Sequence, residues 1–319
     1  MATIDLSAAP SPRSEGTALE AAPRRIGLTV RELRHVAQLC GNAPLPFAAG
    51  TDGTEPATAD PTDGLAGRLG RSPQQTEEAT YRRAVAALPD PAQSLAHRGL
   101  LEDGRLSPGL AGAIGLLATP ETALDIDVAL GLPEASQLRV WHRQSGPAVA
   151  ALTTVDGVVF ELAWFGVDAW AAELARVAAL PEGADRAASR VPPELDVPFD
   201  LADSVAEALD AGRDDLVDLL VQRASGTSTA RGRVLTDADA AAALRALTAE
   251  AGGRLRALVA RIGERTPDRA GVVSWTLLRD GWHSVRPHRV DAALRVEVRA
   301  VEPNELGAVL TPALAEAAP

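Results

Sequence analysis

Two segments of this 319-residue chain share one local pattern: an apolar run, Asp-Gly, and a second apolar run. One runs from Ala270 to Pro287 with Asp280-Gly281 at its centre, the other from Pro147 to Leu162 with Asp156-Gly157. Asp-Gly favours tight hairpins, because a type I′ turn needs positive φ at both central residues. One such hairpin in each half predicts an internal duplication and a protein organised around a doubled sheet, not around a catalytic pocket.

The rest of the chain can be placed around these hairpins. Ile26 to Leu39 predicts a strand running into a helix, with Thr29 as cap and Leu33, Val36, Ala37 and Leu39 on its apolar stripe. Helices are expected over about Thr76–Leu88, after Ser107-Pro108, and from Asp168 through Trp170 to Leu180. Strands are expected at Leu124–Leu130, Leu138–Gln144, Ala148–Val155 and Val158–Phe165. The second half predicts helices at Asp203–Leu209, Asp214–Arg223 and Asp237–Glu250, then strands at Arg254–Ile262, Gly271–Arg279, from Trp282, and at Leu294–Val301. A last helix starts at Glu302-Pro303. Phe160–Asp168 matches Leu294–Glu302 as a strand-to-helix corner, and the proline-rich stretch Pro181–Pro198 is the expected join between halves. Residues 1–25 are expected to be a disordered leader, and Gly50–Pro73, rich in Gly, Pro, Thr and Asp, a mobile loop.

Composition narrows the function. The net charge of −12 opposes binding to nucleic-acid phosphates, and no local basic run offsets it. No stretch approaches the roughly 20 uninterrupted apolar residues of a membrane helix, and Met1–Gly16 lacks a secretory signal's basic start and apolar run. Cys40 is the single cysteine, so no internal disulfide forms; a cytoplasmic location is expected. Every basic side chain other than histidine is arginine.

Catalytic motifs are scarce. His283 and His288 have no common metal spacing, and His35, His97 and His142 are isolated on helices or a strand. Asp125 and Asp127 share a strand face without a recognisable third partner. No P-loop, dinucleotide fingerprint or Gly-Xaa-Ser-Xaa-Gly elbow occurs. The expectation is therefore no enzyme, no cofactor and no metal. Tryptophan and arginine on strands are more telling. Strand alternation puts Arg139, Trp141 and Arg143 on one face; Trp275 shares a face with Arg279, and Trp282 with Arg286. Those residue types dominate binding hot spots, so these seven are the expected partner-binding residues, against the alternative that the tryptophans are ordinary core. A second reading makes Arg139, Arg143, Arg279 and Arg286 the lining of an anion pocket in an enzyme or small-ligand protein.

Several segments, in order, resemble the EspG family of ESX (type VII) secretion-associated proteins. They are Leu28-Thr29-Val30 opening into a helix, then Leu45-Pro46-Phe47, then Leu95–Leu101 with Gly104-Arg105-Leu106, Leu110 and the Pro120 stop. Ala148–Pro181 is similar to the family's strand–turn–strand–helix unit, and Val272–Pro287 to its strand, Asp-Gly-Trp turn and strand. The resemblance spans about Ile26 to Ala315. It implies an α+β fold with a central, largely antiparallel sheet, flanking helices and pseudo-two-fold internal symmetry. Residues 26–319 would then form one domain of two similar halves, about 26–185 and 195–319. It further implies a cytosolic, non-enzymatic chaperone that binds the helical tip of PPE proteins in PE–PPE heterodimers and keeps them soluble; self-association is a further possible partner relation.

Overall fold

A computed structural model describes residues 22–47, 73–131, 136–180, 186–262 and 267–315. Twelve strands hydrogen-bond in one sheet, with helices packed on it; β2 (Leu101–Glu102) and β3 (Arg105–Leu106) form a separate ribbon. The fold is α+β, and the strand pairings with a described register are antiparallel. The expected loop Gly50–Pro73 lies outside the described residues except Pro73, as do residues 1–21 of the leader; the first strand already begins at Arg24.

Element order repeats. The first series is β1 (Arg24–Thr29), α1 (Val30–Leu39), α2 (Pro73–Ala86), α3 (Pro91–His97), the β2–β3 ribbon and α4 (Pro108–Ala118). It continues through β4 (Thr122–Leu130), β5 (Ser136–Ser145), β6 (Ala148–Thr154) and β7 (Val159–Gly166) to α5 (Trp170–Ala178). The second runs β8 (Leu195–Pro198), α6 (Phe199–Asp210), α7 (Val217–Arg223), the hairpin β9 (Thr229–Ala230) and β10 (Arg233–Val234), and α8 (Asp237–Glu250). Then come β11 (Gly253–Ile262), β12 (Pro267–Leu278), β13 (Gly281–Val290), β14 (Ala293–Ala300) and α9 (Glu305–Ala315). Hydrogen-bonding order is β1-β7-β6-β5-β4 in the first and β8-β14-β13-β12-β11 in the second.

One expectation needs correction. Asp156-Gly157 joins β6 to β7, whereas Asp280-Gly281 lies between β12 and β13, the counterparts of β5 and β6. The two Asp-Gly turns are therefore not equivalent, although the match of Phe160–Asp168 with Leu294–Glu302 found the right strands, β7 and β14. By compactness the chain falls into two units. One unit holds the described residues up to Ala123 with Trp141–Ala169, the other Leu124–Val140 with Trp170 onward.

In the first unit, α1 begins with a capping box: Glu32 N donates to Thr29 Oγ1 at 3.2 Å and Thr29 N to Glu32 Oε2 at 2.7 Å. The other carboxylate oxygen is buried and accepts from Ser94 Oγ (2.7 Å) and Arg98 Nη1 (3.2 Å), while Arg98 Nη2 donates to Gly27 O at 2.6 Å. A single carboxylate thus joins β1, α1 and α3. Leu33, Val36, Leu110, Ile114, Leu152, Phe160 and Leu162 belong to the core of this unit.

In the other unit, Leu195, Val197, Leu201, Val205, Val217, Leu244, Val296 and Val298 form the core beneath α6, α7 and α8. Helix α9 packs on α5 so closely that a Cβ on Gly307 would stand 3.1 Å from Ala171. The chain crossing to β8 is pinned by Glu250 at the end of α8, which accepts from Ser189 Oγ (2.8 Å), Arg190 N (3.1 Å) and Arg190 Nε (3.1 Å). Burial by itself would push the Glu250 pKa up, but these donors outweigh it and hold the carboxyl below its ordinary value. Because the folded pKa is depressed, this stabilisation is complete above the unfolded value and disappears as pH falls through the folded one. Glu250→Gln is expected to cost about 1–3 kcal/mol at neutral pH, and its difference from wild type should shrink in acid; denaturant titrations across pH measure both.

The β13–β14 hairpin turns on Asp291 and Ala292, with φ of 46° and 70°. Left-handed backbone costs an L-residue about 1–2 kcal/mol, so Ala292→Gly should raise stability by up to about that amount in thermal unfolding.

Candidate partner-binding surface

Strand β5 carries three of the expected site residues. Arg139 is exposed, but Trp141 is only 9% exposed and Arg143 is buried. The Trp141 ring lies 5.7 Å from Phe47, which stacks on Phe160 at 4.8 Å. Arg143 Nη1 donates to the His142 carbonyl at 3.0 Å. On the opposite face His142 meets the edge of Phe165. Trp141 is therefore core, not an open hot spot.

The same correction applies to β12 and β13. The register Leu277↔Trp282 and Trp275↔Ser284 brings Trp275 and Trp282 onto one face, as alternation predicts, with ring centroids 6.3 Å apart. Both are 2% exposed, and Trp282 Nε1 donates to the Ala178 carbonyl at the end of α5, at 2.8 Å. Arg279 is exposed at the hairpin turn. The Arg286 side chain is 69% exposed and pairs with Glu297 at 2.9 Å. Residue type pointed to these tryptophans as hot spots, but a large ring on a strand beneath helices is worth more in a core than in water.

Catalytic alternatives gain little from the geometry. His283 is buried with Nδ1 3.2 Å from Gly281 O, and His288 Nε2 is 3.4 Å from Asp196. Burial pushes the Cys40 thiol pKa up, away from reactive thiolate. Among the described residues no three His, Cys, Asp or Glu side chains form a metal-binding group. A cavity of about 40 Å3 beside Arg186, Asp280, His283 and Glu302 has room only for water-sized occupants. Neither it nor the larger groove described next is lined by Arg139, Arg143, Arg279 or Arg286.

The larger opening is apolar. Ala202, Val205 and Ala206 of α6, Leu244, Leu247, Thr248 and Ala251 along α8, Thr276 of β12 and Val285 of β13 enclose about 200 Å3. The sheet face continues from Thr276 through Ser274 to Val272. Across β11 these pair with Arg254, Arg256 and Leu258. Leu258 and Val272 are 44% and 55% exposed, and both arginines are exposed. The described pairing of β12 with β13 stops at Trp275↔Ser284, so the two hairpins part and leave this face open. The signal in the sequence was the alternation Arg254, Arg256, Leu258 and the alanine-rich helix faces opposite.

No family model matches the sequence, and no curated protein matches it. The structure does have a solved likeness: the type VII secretion system chaperone EspG5 of Mycobacterium tuberculosis, determined in complex with the PE25–PPE41 dimer. The match covers 91% of this chain and 96% of that one, with a TM-score of 0.54 and 13% identity. The chain has the EspG5 fold. The resemblance to the EspG family drawn from segment order thus holds at the level of architecture, and no described helix is long and apolar enough to cross a membrane.

If the tryptophans are core, Trp141→Ala should destabilise the protein by about 3–5 kcal/mol, and Trp282→Phe, which loses one buried hydrogen bond, by about 1 kcal/mol. Chemical denaturation measures both; a Trp141→Ala protein of unchanged stability would return Trp141 to the surface.

Proposed function

We propose that this chain is a cytosolic chaperone of type VII secretion that holds a PE–PPE-like helical heterodimer in soluble form before export. The observation that carries this reading is the near full-length fold likeness to EspG5, a protein solved with such a dimer bound. The open apolar groove beside α6 and α8 supports it, since exposed apolar surface on a folded domain marks a place where another molecule sits. Binding there buries apolar helix ends that would otherwise aggregate. Of the seven residues expected at the interface, the exposed Arg139, Arg279 and Arg286 remain candidate contributors, while Trp141, Arg143, Trp275 and Trp282 support the scaffold.

The role involves no bond making or breaking, and thus no cofactor. Co-expression with PE–PPE heterodimers from a type VII locus tests it. A stoichiometric complex on size-exclusion chromatography, and suppression of heterodimer light scattering by the purified chain, are the expected results. Failure to bind any such heterodimer, with the chain folded, rejects the reading.

A further inference from the structure

The two repeats use one place in the fold differently. In α1, Leu33, Val36 and Ala37 point into a filled core and are buried. Counted from the helix start, their counterparts in α6 are Ala202, Val205 and Ala206, of which Ala202 and Ala206 stay partly exposed to the groove. The first repeat closes this place with its own bulk, Trp141 from β5 and Phe47 stacked on Phe160. Phe47 arrives on the stretch of chain that follows α1. The second repeat has no such stretch: α6 passes through Ala211–Arg213 directly into the 3-10 turn Asp214–Leu216. Its strand β12, the counterpart of β5, carries Ser274 and Thr276 on the groove side.

We infer that a large apolar side chain of the partner, aromatic by preference, fills the open groove of the second repeat as Phe47 fills the first, and that carboxylates beside it bind Arg254 and Arg256. This rests on the chaperone reading and specifies the chemistry of its substrate. The size fits: an apolar cavity of about 150 Å3 takes a benzene ring, and the groove offers about 200 Å3. The charge fits as well. Arg254 and Arg256 are exposed beside Thr276 and Ser274 and form no hydrogen bond or ion pair with a described residue. On a chain of net charge −12 an acidic partner is repelled at long range. Two unpaired guanidiniums at the groove rim supply local attraction and planar, two-pronged hydrogen bonding to a carboxylate.

The probe is a phage-displayed library of two-helix hairpins randomised at the tip, selected on the full chain. Selected tips should carry Phe, Tyr or Trp beside Asp or Glu. Their Kd should rise about tenfold or more against Val285→Trp, which fills the groove from within, and against Arg254→Glu/Arg256→Glu. Circular dichroism checks folding of both; the arginine variant alters only exposed, unpaired side chains, so it decides the matter should Val285→Trp not fold. Tips with neither preference, affinities unchanged by a folded variant, or no binders at all overturn the inference. A PE–PPE heterodimer bound equally by wild type and variants removes the groove while sparing the chaperone reading, which fails only when wild type binds no heterodimer.

Discussion

A strand that alternates apolar and polar side chains keeps its place in water only while something covers its apolar side. In the first unit that cover is α1 and α4, with α1 tied to β1 and α3 by the Glu32 carboxylate and its donors Thr29, Ser94 and Arg98. In the other, α6, α7 and α8 cover Val296 and Val298, while α5 accepts the Trp282 indole hydrogen on the opposite face. Burial of this kind contributes roughly 25 cal/mol per Å2, so the positions of the helices follow from the apolar rows on the strands.

The candidate binding surface is what this covering leaves undone. Between α6, α8 and the sheet, Val285 lines an open groove, and Val272 and Leu258 stay exposed on the same sheet face beside two arginines. A protein that only needed stability would close such a gap, as the first repeat does with Phe47 and Trp141. Leaving it open loses local packing and makes room for an apolar guest.

Much of the fold was legible before the structure. The capping threonine at Thr29, the Ser107-Pro108 helix start and the alternation of Leu294, Val296 and Val298 each appear as the expected element, because each rests on interactions within a few residues. The turns were less legible. The β13–β14 hairpin bends on Asp291-Ala292, where nothing in the sequence announces left-handed backbone. At the β12–β13 turn, Gly281 already pairs with Leu278, so the central residues are Arg279 and Asp280. Here the cross-strand register chose the turn, and the local preference of Asp-Gly gave way to it. The two Asp-Gly pairs looked equivalent because each sits between two apolar runs, but they join different strand pairs of the repeat.

The binding residues show the same division. Alternation alone determined that Arg139, Trp141 and Arg143 share a strand face and that Trp275 and Trp282 come together across a hairpin, since a period of two is a property of the backbone. It could not say which face a helix would cover. Whether a tryptophan is a hot spot or a core residue depends on what packs over it: Phe47 for Trp141, and the end of α5 for Trp282, both distant in the chain. The groove depends in the same way on α6, α8, β12 and β13, segments far apart in the chain that line it together. The sequence by itself determined the elements, their order and their apolar faces; only the tertiary structure decided which of those faces stayed open, because coverage is set by contacts between segments far apart in the chain.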